Sequence, residues 1–307
     1  MSMRPVRTSR LTFAGLLVAA IGLVACELAG DPAFADFDAP RIVHLMPDGR
    51  ILVADLGSGA DDGRVVAVDL ADGSQDVLLD DLPSTADSGQ RYADLAGPSG
   101  AAMAPDGTVC VVIGDAAGDA YGTVRCTDGL SVDLAEFERS ANPDGDEIAS
   151  NPYDITADGD RGWYVTDAAA NAVLYIERGG TIEVTASFGS LEPITGEATD
   201  AVPTGILLLG DDLIVALFGG AVVRIARTGE VAVLGELPSP IALAADEDGA
   251  ILVLSHQDGA IIRLADGHEP ETIAADLDRP TGLARLSDGR LIVAEQDAGR
   301  VRIVGEH

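Results

Sequence analysis

The chain has 307 residues, 47% of them hydrophobic and 4% aromatic, with 36 glycines. Its 51 acids outnumber 19 basic residues, all of them arginine, for a formal charge of −32; such a field repels nucleic acid and anionic membrane surfaces and serves solubility or the attraction of cations. The acids are interspersed among apolar, strand-like runs, which excludes a disordered acidic chain.

Arg4, Arg7 and Arg10 precede an uninterrupted apolar run from Leu11 to Ala25. That run is shorter than the roughly 20 residues a helix needs to cross a bilayer and has the layout of an export signal. Leu23-Val24-Ala25-Cys26 matches the bacterial lipoprotein cleavage box. Residues 1–25 are therefore expected to be removed, Cys26 to carry lipid, and 26–32 to form a short tether. The mature protein is then an exported, membrane-anchored lipoprotein on the periplasmic or cell-surface side, touching membrane through its lipid alone. Losing the three leader arginines takes its charge to about −35. No twin-arginine pair is present, so export by the general secretory route is expected.

From residue 33 the chain repeats. Pro40, Pro98, Pro152, Pro203, Pro240 and Pro280 each open a unit of about 40 to 50 residues, a period typical of solenoids and propellers. Each unit continues with an apolar strand, a tight turn, a second strand ("ILVAD" 51–55, "VCVVI" 109–113, "WYVTD" 163–167, "LIVAL" 213–217, "ILVLS" 251–255, "LIVAE" 291–295) and a third, often arginine-bearing strand. Asp48-Gly49, Asp106-Gly107, Asp248-Gly249 and Asp288-Gly289 supply the positive φ of tight hairpins. Six units of four short antiparallel strands predict one all-β domain over 33–307, a six-bladed β-propeller, expected to be a monomer. The last unit stops after its third strand, so "AFADFD" (33–38) is expected to close the last blade as its outermost strand.

In a propeller the first strand of each blade lines the central channel. The residues after the prolines, Arg41, Ser99, Tyr153, Thr204, Ile241 and Thr281, then sit at the channel mouth, joined there by the second-strand ends Asp55, Ile113, Asp167, Leu217, Ser255 and Glu295. Asp55, Ser99, Asn151, Tyr153, Asp154, Asp167, Thr204, Thr281 and Glu295 are the candidate ligand-site residues. Two readings of the acids stand open. Each caps a turn by accepting backbone N–H groups, or Asp55, Asn151, Asp167 and Glu295 supply oxygens to a Ca²⁺ ion. Long connections at 84–98, 135–152 and 188–203 gather on one half of the disc, where binding loops usually lie. Glu136, Glu138, Asp144, Asp146 and Glu147 make the middle one acidic, although "NPDGDE" lacks the spacing of an EF-hand. Cys110 and Cys126 fall on the second and third strands of one blade; whether they are bridged depends on a strand register that the sequence leaves open. His44 and His256 fall near blade cores, and no nucleophile-elbow or paired-cysteine metal motif is present.

"ERSANPDGDEIASNPYDI" (138–155), "AGPSGAAMAPDG" (96–107), "AVPTGI" (201–206) and "RPTGLARLSDGRLIVAE" (279–295) resemble the ScyD/ScyE family of secreted bacterial propellers over nearly all of the mature chain. More loosely, the units are similar to NHL and gluconolactonase-like repeats. Departures fall in the first unit, where "APRIVHLMPDG" replaces a Pro-Arg-Gly-Leu start, and at Leu217, where an acid is usual. The resemblance implies the fold and an extracytoplasmic setting, with no catalytic residues to carry across. Lactonase-type propellers hold channel Ca²⁺ with a Glu, two Asn and an Asp, and of this chain's asparagines only Asn151 falls on the corresponding ring. The expectation is a binding or scaffold module for a small ligand, cation or partner protein; the alternative is a Ca²⁺-dependent hydrolase or lactonase.

Overall fold

The computed structural model describes residues 33–34, 37–86, 95–114, 116, 118–189, 191 and 199–305. The leader, Cys26, the tether and parts of the 84–98 and 188–203 connections lie outside the described residues.

The described strands form six four-stranded antiparallel sheets. Each of the six prolines begins an innermost strand: Pro40–Leu45, Pro98–Met103, Pro152–Ala157, Pro203–Leu209, Pro240–Ala245 and Pro280–Arg285. Second strands such as Val109–Ile113 and Ile251–Ser255 are buried on both faces, which explains their unbroken apolar runs. Outer strands such as Gln75–Leu82 consist mostly of partly exposed and exposed residues. The Asp-Gly hairpins behave as their chemistry dictates. Gly49, Gly107, Gly249 and Gly289 take φ between 85° and 94°, and the preceding aspartate accepts the N–H two residues on, as from Asp106 to Thr108 at 2.9 Å.

Neighbouring sheets pack face to face, and each interface has its own apolar cluster. Val112 and Val124 of blade 2 meet Trp163, Leu174 and Ile176 of blade 3; Val43, Val53 and Val66 of blade 1 meet Ile292 and Ile303 of blade 6. The ring closes through Ala33–Phe34, which pairs with Arg300–Val304 in the register Ala33 to Arg302 and Phe34 to Val301. The last blade thus takes its fourth strand from residues that precede the first blade.

The acidic connection after blade 2 is not all loop. Residues Leu134–Ala141 form a helix, α1. Asp133 caps its N-terminus by accepting from Glu136 N at 2.7 Å, and Asn142 ends it in the left-handed region at φ 37°. In blade 2, Cys110 lies opposite Cys126 and the two form a disulfide with Cα atoms 4.0 Å apart.

Candidate ligand site at the channel mouth

Every blade shows a register shift immediately after its proline, between Pro40 and Ile42, Pro98 and Gly100, and so on around the ring. Proline has no N–H to give the ladder, and a bulge re-aims the next residue. That next residue alternates in size around the ring. Blades 2, 4 and 6 read Pro-Ser-Gly, Pro-Thr-Gly and Pro-Thr-Gly, whereas blades 1, 3 and 5 place Arg41, Tyr153 and Ile241 there. Ser99 Oγ donates to Pro152 O at 2.8 Å, Thr204 Oγ1 to Pro240 O at 3.1 Å and Thr281 Oγ1 to Pro40 O at 3.4 Å. The adjoining glycines permit this approach: a Cβ on Gly100 or Gly205 would stand 2.7 or 2.8 Å from the Cα of Asp154 or Ala242, and one on Gly282 would stand 2.7 Å from Arg41 O. The recurrent prolines therefore serve a threefold arrangement of blade pairs. The small residues tie each even blade to the next, and the large ones occupy the channel mouth.

The hydroxyls of Ser99, Thr204 and Thr281 are consumed by these inter-blade bonds and are buried. The acids are consumed as well. Asp55 accepts from Ala39 N at 2.8 Å and from Arg64 Nε at 3.1 Å. Asp167 accepts from Asn151 N and Ser150 Oγ, both at 2.6 Å, and from Ala170 N at 3.2 Å. Glu295 accepts from Asp278 N at 2.9 Å and Arg300 Nε at 2.5 Å, with Arg302 at 3.3 Å. All three are completely buried. Each clamps the segment that leads into its own blade's proline, so this arrangement is a set of turn caps. Ser255 does the converse in blade 5, donating to Pro238 O at 2.8 Å. A Ca²⁺ ion wants six to eight oxygens. The donor set does not fit one: Asp55, Asp167 and Glu295 each spend their oxygens on protein donors in separate blades, and no three of His, Cys, Asp and Glu converge among the described residues. Burial pushes the Asp167 carboxyl up to about 6, against the hydrogen bonds from Ser150, Asn151 and Ala170 that favour its charged form.

Asp154 joins three blades across the channel. Its Oδ2 accepts from Ile206 N at 3.2 Å, and its Oδ1 accepts from Ile155 N at 2.8 Å and lies 3.2 Å from His44 Nε2. His44 keeps 29% of its side-chain surface exposed, so it is a channel residue and not part of a blade core. His256 also leaves the expected core: half-buried, it places Nδ1 2.9 Å from Pro280 O and its ring 6.1 Å from that of Phe218. Burial, assisted by the nearby Arg279 and Arg41 charges, holds its pKa below the ordinary histidine value.

At the mouth itself the Arg41 guanidinium lies 4.5 Å from the centre of the Tyr153 ring. Ile241 and Ile42 belong to the same apolar cluster as Tyr153, with Phe218 and Val202 packed against it. Arg41 Nε and the Tyr153 hydroxyl are buried with no hydrogen-bond partner. The described arginines elsewhere mostly reach a carboxylate, as Arg50, Arg178, Arg263 and Arg285 do. Arg41 reaches none among the described residues. In a chain of 51 acids, a half-buried arginine whose Nε is buried and which has no carboxylate among the described residues is unusual, and with Tyr153 it offers donors to an incoming anion. A search for acids in the sequence misses Arg41, although its place after Pro40 marks it.

No family model matches the chain and no curated protein matches it. Among solved structures it is similar to a streptogramin B lyase, at 16% identity and TM-score 0.61, covering 90% of this chain and 97% of that one. It is similar to a gluconolactonase from Xanthomonas campestris at 14% identity and TM-score 0.60, covering 89% and 88%. A chain of a nidogen–laminin complex aligns at 12% identity and TM-score 0.59, covering 84% and 89%. Two of these are named as enzymes and the third belongs to a complex of two proteins, so a common fold does not select among functions. The likeness fixes the architecture, a six-bladed β-propeller.

Proposed function

We propose that this protein is an exported propeller of the ScyD/ScyE kind, anchored by a lipid on Cys26, whose channel mouth binds a small carboxylate-bearing ligand as a binding module. The observation that carries this reading is Arg41, stacked on Tyr153 and without a carboxylate among the described residues. The Arg41 Nε is already out of water and gains a partner on meeting an anion, and a charge-assisted hydrogen bond of this type is worth about 1.5 to 3 kcal/mol. The protein's overall negative field works against anions at long range. Binding is therefore expected to strengthen as salt rises from very low values, the reverse of an ordinary ion pair. In this reading the protein acts as a monomer, with a small molecule or a partner protein carrying an exposed carboxylate as its ligand and no nucleic-acid partner. Calorimetric titration of the mature chain with a panel of small mono- and dicarboxylates tests it. Arg41→Met should weaken binding at least tenfold, by about 1.4 kcal/mol, with only the small loss of stability that follows from removing its stacking on Tyr153. Equal binding by wild type and variant would sink the reading.

A second reading, a hydrolase or lyase, is favoured by the His44–Asp154 pair at 3.2 Å, because a carboxylate that orients an imidazole is the arrangement a general base needs. It requires no calcium. Turnover of lactones or esters that disappears in His44→Ala would establish it over the binding role.

A further inference from the structure

On the outer side of Asp167 lies a second, unrelated site. Between α1 and the connection into blade 3 is a cavity of about 380 Å³, lined by Asp119, Tyr121, Asp133, Glu138, Ile148 and Ser150 among others. Glu138 stands one helical turn after Leu134, on the same inward face, and both are buried, at 2% and 0% exposure. A leucine there is ordinary. A carboxyl is not, because an isolated buried carboxylate is costly unless something compensates its charge. Glu138 Oε1 has no hydrogen-bond partner. Arg139, the basic residue at the cavity rim, is already engaged by Glu136 at 2.9 Å and Asp133 at 4.0 Å. Ser150, across the cavity, donates its hydroxyl to Asp167 at 2.6 Å.

We propose that this cavity binds a small organic ammonium ion, with Glu138 as its counter-ion and Asp119 and Asp133 as an acidic rim. A metal ion is the poorer fit, since no three ligating side chains converge among the described residues and a dehydrated hard cation needs six or more oxygens. An anion is opposed by the acidic lining. Tyr121, Ile148 and the neighbouring Ala135 and Ala149 give an apolar wall for an alkyl chain. The groups facing Glu138 act in one direction. Burial, then the charges of Asp167 on the adjoining strand and Asp144 in the loop after α1, push its pKa up to about 7. Near neutral pH the site thus holds part of a proton that an arriving ammonium displaces. The site is independent of the channel reading and stands or falls without it.

Calorimetry of the mature protein with putrescine and, separately, with CaCl₂ tests it, at pH 7 and about 0.15 M salt, which screens the overall charge. Running each titration in two buffers of different ionisation heat counts the protons released. One putrescine per chain is expected, with release of a fraction of a proton, because burial raises the Glu138 pKa toward neutrality. Glu138→Gln should weaken binding at least tenfold and abolish the release. Asp119→Asn should weaken it about threefold and leave the release intact, an arm that still decides the matter if Glu138→Gln does not fold. Unchanged putrescine binding by Glu138→Gln, no wild-type binding by roughly 10 mM, or binding with no proton released would each overturn the proposal. So would calcium that binds and blocks the amine.

Discussion

Blades 1 and 6 and blade 3 solve one problem in two ways. In all three a buried carboxylate at the end of the second strand clamps the backbone just before the blade's proline. In blades 1 and 6 the residue directly across the sheet is arginine, Arg64 opposite Asp55 and Arg300 opposite Glu295. In blade 3 the residue opposite Asp167 is Ala172. In the first two clamps, a cross-strand guanidinium meets the carboxylate. The third is held by Ser150 and backbone N–H groups alone, and burial drives it toward the protonated form. Position in the fold fixes the hydrogen-bonding task, while the cross-strand partner decides whether a guanidinium shares it.

The comparison is broken most directly by Asp55→Ala, which removes the acceptor of the buried Ala39 and Gly57 N–H groups and one partner of Arg64. Urea denaturation at pH 7 should show a loss of about 3 kcal/mol, and a loss under about 1 would mean the clamp matters little. The next effect separates the blades. With its pKa raised, protonated Asp167 favours the fold below pH 4, and that contribution is lost as pH rises through about 6. Asp167→Asn keeps an acceptor for Asn151 and discards the titration. Its stability relative to wild type should climb by on the order of 2 kcal/mol between pH 4 and pH 8, whereas the corresponding Asp55→Asn should be destabilised at pH 8. Parallel profiles for the two variants would erase the distinction. The smallest effect belongs to Arg300→Gln. Arg300 is 39% exposed and Glu295 retains Arg302 and Asp278 N, so about 1 kcal/mol is expected, shrinking in high salt.

The blade count, the six strand starts and the closing segment were all legible in the sequence, because prolines, Asp-Gly turns and apolar runs act locally. The fate of the acids was not. Asp55 and Arg64 are nine residues apart and Glu295 and Arg300 five, with hairpins of different length between them, so no fixed spacing announces the pair. Cys110 and Cys126 needed a register that only the assembled sheet supplies. Two signals in the sequence pointed further than the loop expected there. Asp133 with Glu136 and Asn142 spells a capped helix, and Leu134 with Glu138 places a carboxyl on its buried face. The alternation of small and large residues after the prolines was likewise visible, but its meaning lies in contacts between blades rather than within them.

The seam where Ala33 and Phe34 meet Arg302 and Val301 has a temporal consequence. A chain synthesised from its N-terminus delivers one half of that seam well before the other. Five blades can assemble as they emerge, yet the circle stays open until Arg300–Val304 arrives, so removing either Ala33–Phe34 or Arg300–Val304 should unlatch the same blade.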